Sequence, residues 1–410
     1  MYLKLQKSTI HQQSAIAITG SKSETNRLLL LQALYPNITL ENTSNSDDSD
    51  VMIKALHHNE KVIDIHHAGT AMRFLTAFFA IQEGKEVLLT GSSRMKERPI
   101  KILVEALKQL GASISYEENE GFPPIKITGK KLTKNRVSLP ANVSSQYISA
   151  LLLIAPKLEN GLELTLEGEI TSVPYIKMTL ALLDEIGVET SFTGNVITVK
   201  PELSIGNRQL SIESDWSSAS YFYSIVALSA LGTEIQLSTY KQNSLQGDSV
   251  LTEIYQSFGV MTSFNEDNSI TISKTDNQQS AIVSFDLNSS PDIAQTIAVT
   301  CFGLGIGCHL TGLHTLKIKE TDRLEALKTE LSKLGATISV TNNSLTLEPS
   351  DVMHSNVTIA TYQDHRMAMA FAPLALKVPI AIQDAEVVSK SYPTFWKDLK
   401  TIGFSILKEE

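Results

Sequence analysis

The stretch LKTELSKLGATISV, residues 327–340, has the shape that decides the fold: apolar residues at helical spacing, a glycine at 335, then a short strand of alternating residues. Glycine suits the position just past a helix C-terminus, where a left-handed backbone satisfies the last carbonyls, and β-branched residues after it favour a strand. The same order of events recurs in LVEALKQLGASISY (103–116), LALLDEIGVETSF (180–192), LTEIYQSFGVMTSF (251–264) and FWKDLKTIGFSIL (395–407). Their glycines, at 111, 187, 259, 335 and 403, are 76, 72, 76 and 68 residues apart. Turn sequences such as NEDNS (265–269) and TNNS (341–344) follow, so each unit is expected to end in a hairpin. A sixth copy should precede Gly111. MIKALHHNEKVIDI (52–65) fits the pattern but lies too close and lacks the glycine, which predicts a shortened unit. Six α/β units, three to a domain, are the architecture this periodicity predicts.

Composition narrows the function. A 410-residue chain with 42% hydrophobic and 19% charged residues is expected to be a globular protein of two or three domains. No apolar run reaches membrane-spanning length, and MYLKLQKSTI has no signal-peptide core. The net charge of -9 argues against nucleic-acid binding. Two cysteines, Cys301 and Cys308, make neither a disulfide framework nor a zinc pattern and suit a reducing cytoplasm, and the nine histidines show no metal-ligand spacing. Only eight of the 35 basic residues are arginine: 27, 73, 94, 98, 136, 208, 323 and 366. Each is a candidate for the planar, bidentate grip on carboxylate or phosphate that lysine performs poorly.

Short polar motifs precede the apolar helices. Gly20–Arg27, GSKSETNR, puts Lys22 and Arg27 at a helix start, where cations are unfavourable unless an anion sits among them; a solvated first turn is the alternative. HAGTAMR (67–73) offers Gly69 for close approach to the backbone, and RMKERP (94–99) places four charges before a helix. Ser144 and Ser145 in VSSQY could present hydroxyls and N–H groups to a phosphate, or could simply cap; Asp215-Trp-Ser-Ser is similar. Asp292 in SPD is either a cap or, if buried, a base. KIKETDR (317–323) and TYQDHR (361–366) each set acid and base candidates within three residues of an arginine, and Lys390 adds a cation. Five of the eight arginines lie in these motifs and Arg27 is a sixth, which favours a site for a polyanionic small molecule.

In order and across nearly the whole chain, GSKSETNR, HAGTAMR, RMKERP, SSQ, DWSSASYF, PDIA, IKETDR, TYQDHRMAM and VVSKSYP closely resemble the 3-phosphoshikimate 1-carboxyvinyltransferase (EPSP synthase) family. The resemblance implies the α/β two-domain enolpyruvyltransferase fold, an inside-out α/β barrel with three βαβαββ units per domain. The first domain would be discontinuous, residues 1–20 plus 214–410, and the second, residues 21–213, inserted into it, the two closing on substrate like jaws. It further implies transfer of the enolpyruvyl group of phosphoenolpyruvate to the 5-hydroxyl of 3-phosphoshikimate, with release of phosphate, in the shikimate pathway to chorismate and the aromatic amino acids. No cofactor or metal is expected, nor a nucleic-acid or membrane partner, and a cytoplasmic monomer is the expectation.

By matching motif, Lys22 is expected to touch both substrates, and Ser23 and Arg27 to hold the shikimate carboxylate. Ser144, Ser145, Gln146, Ser172 and Tyr175 would take the shikimate phosphate and its surroundings, with Thr315 and Lys319 beside it. Phosphoenolpyruvate would be gripped by Gly69, Arg98, Gln146, Arg323, Arg366 and Lys390. Asp292 matches the acceptor of the 5-hydroxyl proton and Glu320 the donor to the methylene carbon. Two doubly anionic substrates repel one another, and cations from both domains offset that repulsion on closure. This chain departs from the family pattern at His67, usually asparagine, Phe74, usually proline, Thr315, usually asparagine, and Lys317, usually arginine. The related UDP-N-acetylglucosamine enolpyruvyltransferases have a reactive cysteine loop and a lysine-asparagine motif that this sequence lacks. A catalytically silent anion-binding relative would have no reason to keep Asp292, Glu320 and every grip.

Overall fold

All five glycines that mark the repeat adopt left-handed backbone, with φ of 110° at Gly111, 99° at Gly187, 72° at Gly259, 105° at Gly335 and 117° at Gly403. Each therefore ends its helix and turns the chain into a strand, as the sequence predicts. The computed structural model describes every residue except 58, 59, 143, 169, 171, 172, 277–279 and 410. The chain divides into two units, residues 1–20 with 213–410 and residues 21–212.

In the first unit the repeat produces three four-stranded sheets of one topology. Gln13–Ala17 runs parallel to Glu234–Ser238, which pairs antiparallel with Ser269–Lys274, itself in a hairpin with Val260–Phe264. Ile282–Asp286, Gly307–Thr311, Leu345–Leu347 and Ile338–Val340 repeat that order, one parallel pair and then a hairpin. The third sheet takes Val357–Ile359 and Ile380–Ile382, but its hairpin positions are filled from opposite ends of the chain, by Tyr2–Leu5 and Ile406–Glu409. The strand after Gly403 thus takes its hairpin partner from the N-terminal segment.

The second unit has two such sheets. Val62–Asp64 is parallel to Glu86–Thr90, followed by Ile125–Thr128 and Ser113–Tyr116. Arg136–Pro140 is parallel to Leu162–Glu167, followed by Val196–Val199 and Thr190–Thr193. The remaining repeat retains only the parallel pair, Arg208–Ser211 with Ile38–Glu41. After its helix Asp47–Leu56 the next strand is Val62–Asp64 of another sheet, so the missing glycine corresponds to a missing hairpin.

Layering follows from burial. In the first unit the helices Trp216–Leu228, Ala294–Leu304 and His365–Phe371 are buried around almost their whole circumference and contact one another. A helix apolar all round belongs inside a core. Strands such as Tyr2–Leu5 and Glu234–Ser238 alternate buried and accessible residues and form the outer layer. The second unit is built likewise around Lys22–Leu34, Gly69–Ala80 and Ser145–Ile154. This is the inside-out arrangement, with helices within and sheets without. Each central helix is preceded by one of the polar motifs, so the fold sets those motifs at helix N-termini.

Candidate active site

In the first unit the polar residues converge on Arg323. This guanidinium is only 2% exposed and meets three carboxylates: Nε donates to Asp364 Oδ2 at 2.6 Å, Nη1 to Asp292 Oδ1 at 2.8 Å and Nη2 to Glu320 Oε2 at 2.8 Å. Burial pulls its pKa down, but Asp364, Glu320 and Asp292 outweigh burial and the net shift is upward. Asp322 caps the helix Arg323–Lys333 through the N–H groups of Leu324 and Glu325, each 3.2 Å away, which fixes where Arg323 starts. Asp364 is fully buried and also caps its own helix, accepting from Arg366 N at 2.9 Å. One carboxylate thus ties two arginines from two motifs together.

Asp292 is no cap: the turn Pro291–Ile293 begins at Ser290 with no side-chain capping bond. Instead its carboxylate lies among cations, with Lys319 Nζ at 3.5 Å and Arg366 Nη2 at 3.6 Å in addition to Arg323. Arg366 Nη1 also donates to the Asp292 main-chain oxygen at 3.1 Å, and Lys390 Nζ to the Gln363 carbonyl at 2.8 Å. Thr315 lies in the turn His314–Ile318 with a buried hydroxyl that has no hydrogen-bond partner among the described residues, and Lys317 bonds Asn342 Oδ1 at 2.8 Å. The structure therefore brings Asp292, Glu320, Lys319, Arg323 and Arg366 into one cluster. Asp248 and Ser217 belong to it as well, although only Ser217 stood in a motif singled out from sequence; Ser217 Oγ is hydrogen-bonded to Asp248 Oδ2.

The second unit presents mostly cations. Arg27 is buried, with Nε donating to Thr179 Oγ1 at 2.8 Å, Nη1 to the Ser23 carbonyl at 2.8 Å and Nη2 to Ser149 Oγ at 3.0 Å. Its guanidinium lies 5.5 Å from the Phe74 ring centre and 5.8 Å from that of Tyr175. Phe74, one of the departures, is thus a fully buried neighbour of Arg27. Arg73 is also buried and donates to the carbonyls of Gly69 and Pro99, each at 3.0 Å. Burial pulls both arginines down to about 10, Arg98 adding to the effect at Arg73, yet both remain charged at neutral pH. Among the described residues Arg27, Arg73 and Arg98 make no ion pair with a carboxylate.

Arg98 sits against the start of the helix Gly69–Ala80. A Cβ on Gly69 would lie 3.0 Å from Arg98 Cζ and Nη2 and closer still to Nη1, so only glycine admits the guanidinium there. Ala68 gives that helix no side-chain cap. Its first N–H groups and the arginine are placed where an anion could meet both. Gln146 reaches the same helix, with Nε2 donating to Thr70 Oγ1 at 3.1 Å. Ser144 caps the helix Ser145–Ile154 by accepting from Gln146 N, while the Ser145 hydroxyl makes no hydrogen bond among the described residues. Lys22 lies 3.3 Å from Asp48 Oδ2, which answers the question its position raised: an anion does sit beside it. Ser172 lies outside the described residues. His67 is exposed, its Nδ1 2.9 Å from the Ser92 hydroxyl.

Sequence reading named Asp364 as an acid candidate beside Arg366 but missed its bond to Arg323, and it missed Thr179 and Ser149 beside Arg27, Asp48 beside Lys22, and Asp248. Asp364 carried a signal, an acid two residues before an arginine, whereas Thr179, Ser149 and Asp48 lie within helices and carry none. Among the described residues no group of histidine, cysteine, aspartate and glutamate could hold a metal ion.

A sequence model of EPSP synthase (3-phosphoshikimate 1-carboxyvinyltransferase) matches residues 56–399. The chain is 46% identical over 398 residues to the 3-phosphoshikimate 1-carboxyvinyltransferase of Bacteroides fragilis (strain YCH46), with 96% of each chain covered. To the enzyme of that name from Haemophilus influenzae it is 35% identical over 432 residues, covering 95% of this chain and 96% of the other. Among solved structures, EPSP synthase from Acinetobacter baumannii superposes with a TM-score of 0.79 at 18% identity, covering 99% of this chain and 100% of the other. The enolpyruvyl transferase NikO from Streptomyces tendae gives a TM-score of 0.73 at 13% identity, covering 99% and 98%. At such identities the two structures speak for the fold alone, which they share.

Proposed function

The chain belongs to the EPSP synthase (3-phosphoshikimate 1-carboxyvinyltransferase) family, and on that premise we propose how its own residues divide the reaction. The enzyme is a transferase that moves the enolpyruvyl group of phosphoenolpyruvate to the 5-hydroxyl of 3-phosphoshikimate, releasing phosphate. Addition requires a proton on the methylene carbon as the hydroxyl oxygen bonds to the adjacent carbon and loses its own proton. Elimination then takes a proton from the new methyl group as phosphate leaves, so one acid and one base serve both halves.

Asp292 is the proposed base toward the 5-hydroxyl and Glu320 the proposed acid toward the methylene carbon. The observation that carries this assignment is that one buried arginine, Arg323, holds both carboxylates, at 2.8 Å each. Two proton-transfer groups oriented by the same rigid guanidinium keep a fixed mutual geometry, which an acid–base pair acting on adjacent atoms needs. Arg323, Arg366 and Lys390 would grip phosphoenolpyruvate, together with Gly69, Arg98 and Gln146 at the uncapped start of the helix Gly69–Ala80. Lys22 would serve both substrates, shared with Asp48.

For 3-phosphoshikimate, Ser23 and Arg27 are the proposed holders of the carboxylate. Arg27 suits this role because its hydrogen-bond partners are all neutral and Glu24 acts on it only through space, so a carboxylate would add a direct charge partner. Ser144, Ser145, Gln146, Ser172, Tyr175, Thr315 and Lys319 would surround the phosphate and hydroxyls. We take the protein to act as a cytoplasmic monomer without nucleic-acid or membrane partners. Its net charge of -9 supports that reading, and among the described residues no helix is long and apolar enough to cross a membrane.

The assignment is tested with Glu320→Gln and Asp292→Ala. Each should lower kcat at least about a hundredfold, the usual contribution of a general acid or base, with smaller changes in KM. Turnover like that of the wild-type protein in both variants would remove the two roles while leaving the activity itself untouched.

A further inference from the structure

Ser217 is the one residue of the helix Trp216–Leu228 that escapes burial, and its hydroxyl links two charged groups. It donates to Oδ2 of Asp248 and accepts from Arg366 Nη2 at 3.3 Å. A hydroxyl has a single proton. With that proton committed to Asp248, only lone pairs face the guanidinium, which is the orientation a cation requires. Asp292 also holds Arg366, by its main-chain oxygen at 3.1 Å and its carboxylate at 3.6 Å.

Asp248 itself sits on a built scaffold. It lies in the turn Gly247–Val250, directly after Gln246, whose side chain accepts from Trp216 N at 2.9 Å and donates to the Ser214 carbonyl at 3.0 Å. Gln246 Nε2 also reaches Glu213, 3.4 Å away, and that buried carboxylate is held by Trp216 Nε1 at 2.7 Å, Lys241 N at 2.8 Å and the Ser244 hydroxyl at 2.6 Å. The charged groups facing Asp248 are Asp292, Arg366 and Asp215, and burial together with Asp292 pushes its carboxyl up to about 6. Such a buried acid, with two like charges near it and a hydroxyl as its hydrogen-bonded partner, is poorly suited to stabilising a fold.

We propose that Asp248 is a positioning residue for the transfer reaction: through the Ser217 hydroxyl it orients the Arg366 guanidinium toward phosphoenolpyruvate. The inference rests on the assignment of Arg366 as a grip for that substrate. It explains why a rigid network delivers a costly carboxylate to this place, and why the helix Trp216–Leu228 keeps one polar residue turned out of the core.

The test measures kcat and both KM values for the wild-type protein, Asp248→Asn, Ser217→Ala, Arg366→Lys and the double variant Asp248→Asn/Arg366→Lys. Asp248→Asn and Ser217→Ala should each raise the KM for phosphoenolpyruvate about tenfold, the effect of losing one hydrogen bond to a charged group. The KM for 3-phosphoshikimate should stay within about twofold, and the double variant should be no worse than Arg366→Lys alone, since both changes break one relay. A KM for phosphoenolpyruvate within twofold of wild type in Asp248→Asn and Ser217→Ala, with Arg366→Lys raised, overturns the inference and leaves the assignment of Arg366 standing. An unchanged Arg366→Lys overturns that assignment and the inference with it. Should Asp248→Asn fail to fold, Ser217→Ala decides on the same criterion.

Discussion

Arg323 and Arg98 show how differently a scarce arginine can be employed. Arg323 is 2% exposed and pairs with Asp364, Asp292 and Glu320, so replacing it strands carboxylates in the core. Arg323→Met should destabilise the first unit by about 3–5 kcal/mol, the cost of breaking a buried ion pair from one side. Both tryptophans, Trp216 and Trp396, belong to that unit, so urea unfolding followed by tryptophan fluorescence reads it directly. An unchanged midpoint would mean that the carboxylates find other partners. At Arg98 the constraint is steric instead. Gly69→Ala puts a methyl group into the space the guanidinium occupies, and should raise the KM for phosphoenolpyruvate at least tenfold with little change for 3-phosphoshikimate. Equal increases for both substrates would place Arg98 elsewhere in the reaction. The rarity of arginine pointed to all of these side chains, but not to their environments. Arg27 and Arg323 stand in similar polar motifs, yet one meets hydroxyls and carbonyls and the other three acids, because partners such as Thr179 and Asp364 arrive from distant helices.

Capped helix ends and left-handed glycines made the repeat readable at the level of elements. Each signal is local: a glycine after an apolar stripe, an aspartate or serine before one. What is not local escaped. The strand after Gly403 finds its partner in Tyr2–Leu5, some four hundred residues away, and the shortened repeat showed only as a missing glycine and too short an interval. Gly403 is a sensitive point of that closure, since a Cβ there would lie 2.8 Å from the Thr9 carbonyl oxygen while φ stays at 117°. Gly403→Ala should cost the first unit about 1–3 kcal/mol, from backbone strain plus overlap. Thermal unfolding of the variant checks this, and an unshifted transition would show that the N-terminal segment moves aside. Asp292 marks a limit of element-level reading: a cap and a base look alike in sequence, and its setting among Arg323, Lys319 and Arg366 is what its proposed role as base rests on.

For the whole molecule, function and stability pull apart at Asp248. Its carboxyl is raised from 3.8 to about 6, so between those values the folded protein binds a proton that the unfolded chain does not. The sign is that of a raised acid: the charge costs stability above pH 6, and the cost fades as pH falls through 6. Asp248→Asn should therefore be more stable than the wild-type protein at pH 8, by at most about 3 kcal/mol at 1.36 kcal/mol per pKa unit, and the gap should shrink toward pH 5. A variant less stable than wild type at pH 8 would show that the carboxylate supports the fold. A gain in stability beside a loss of affinity for phosphoenolpyruvate is the pattern expected of a residue kept for its chemistry.

The activity itself is tested most directly by phosphate release. The purified protein, given phosphoenolpyruvate and 3-phosphoshikimate together, should release orthophosphate in amounts equal to the 5-enolpyruvylshikimate 3-phosphate formed, and none with either substrate alone. No phosphate from the complete mixture, with a folded protein, would contradict the account at its centre.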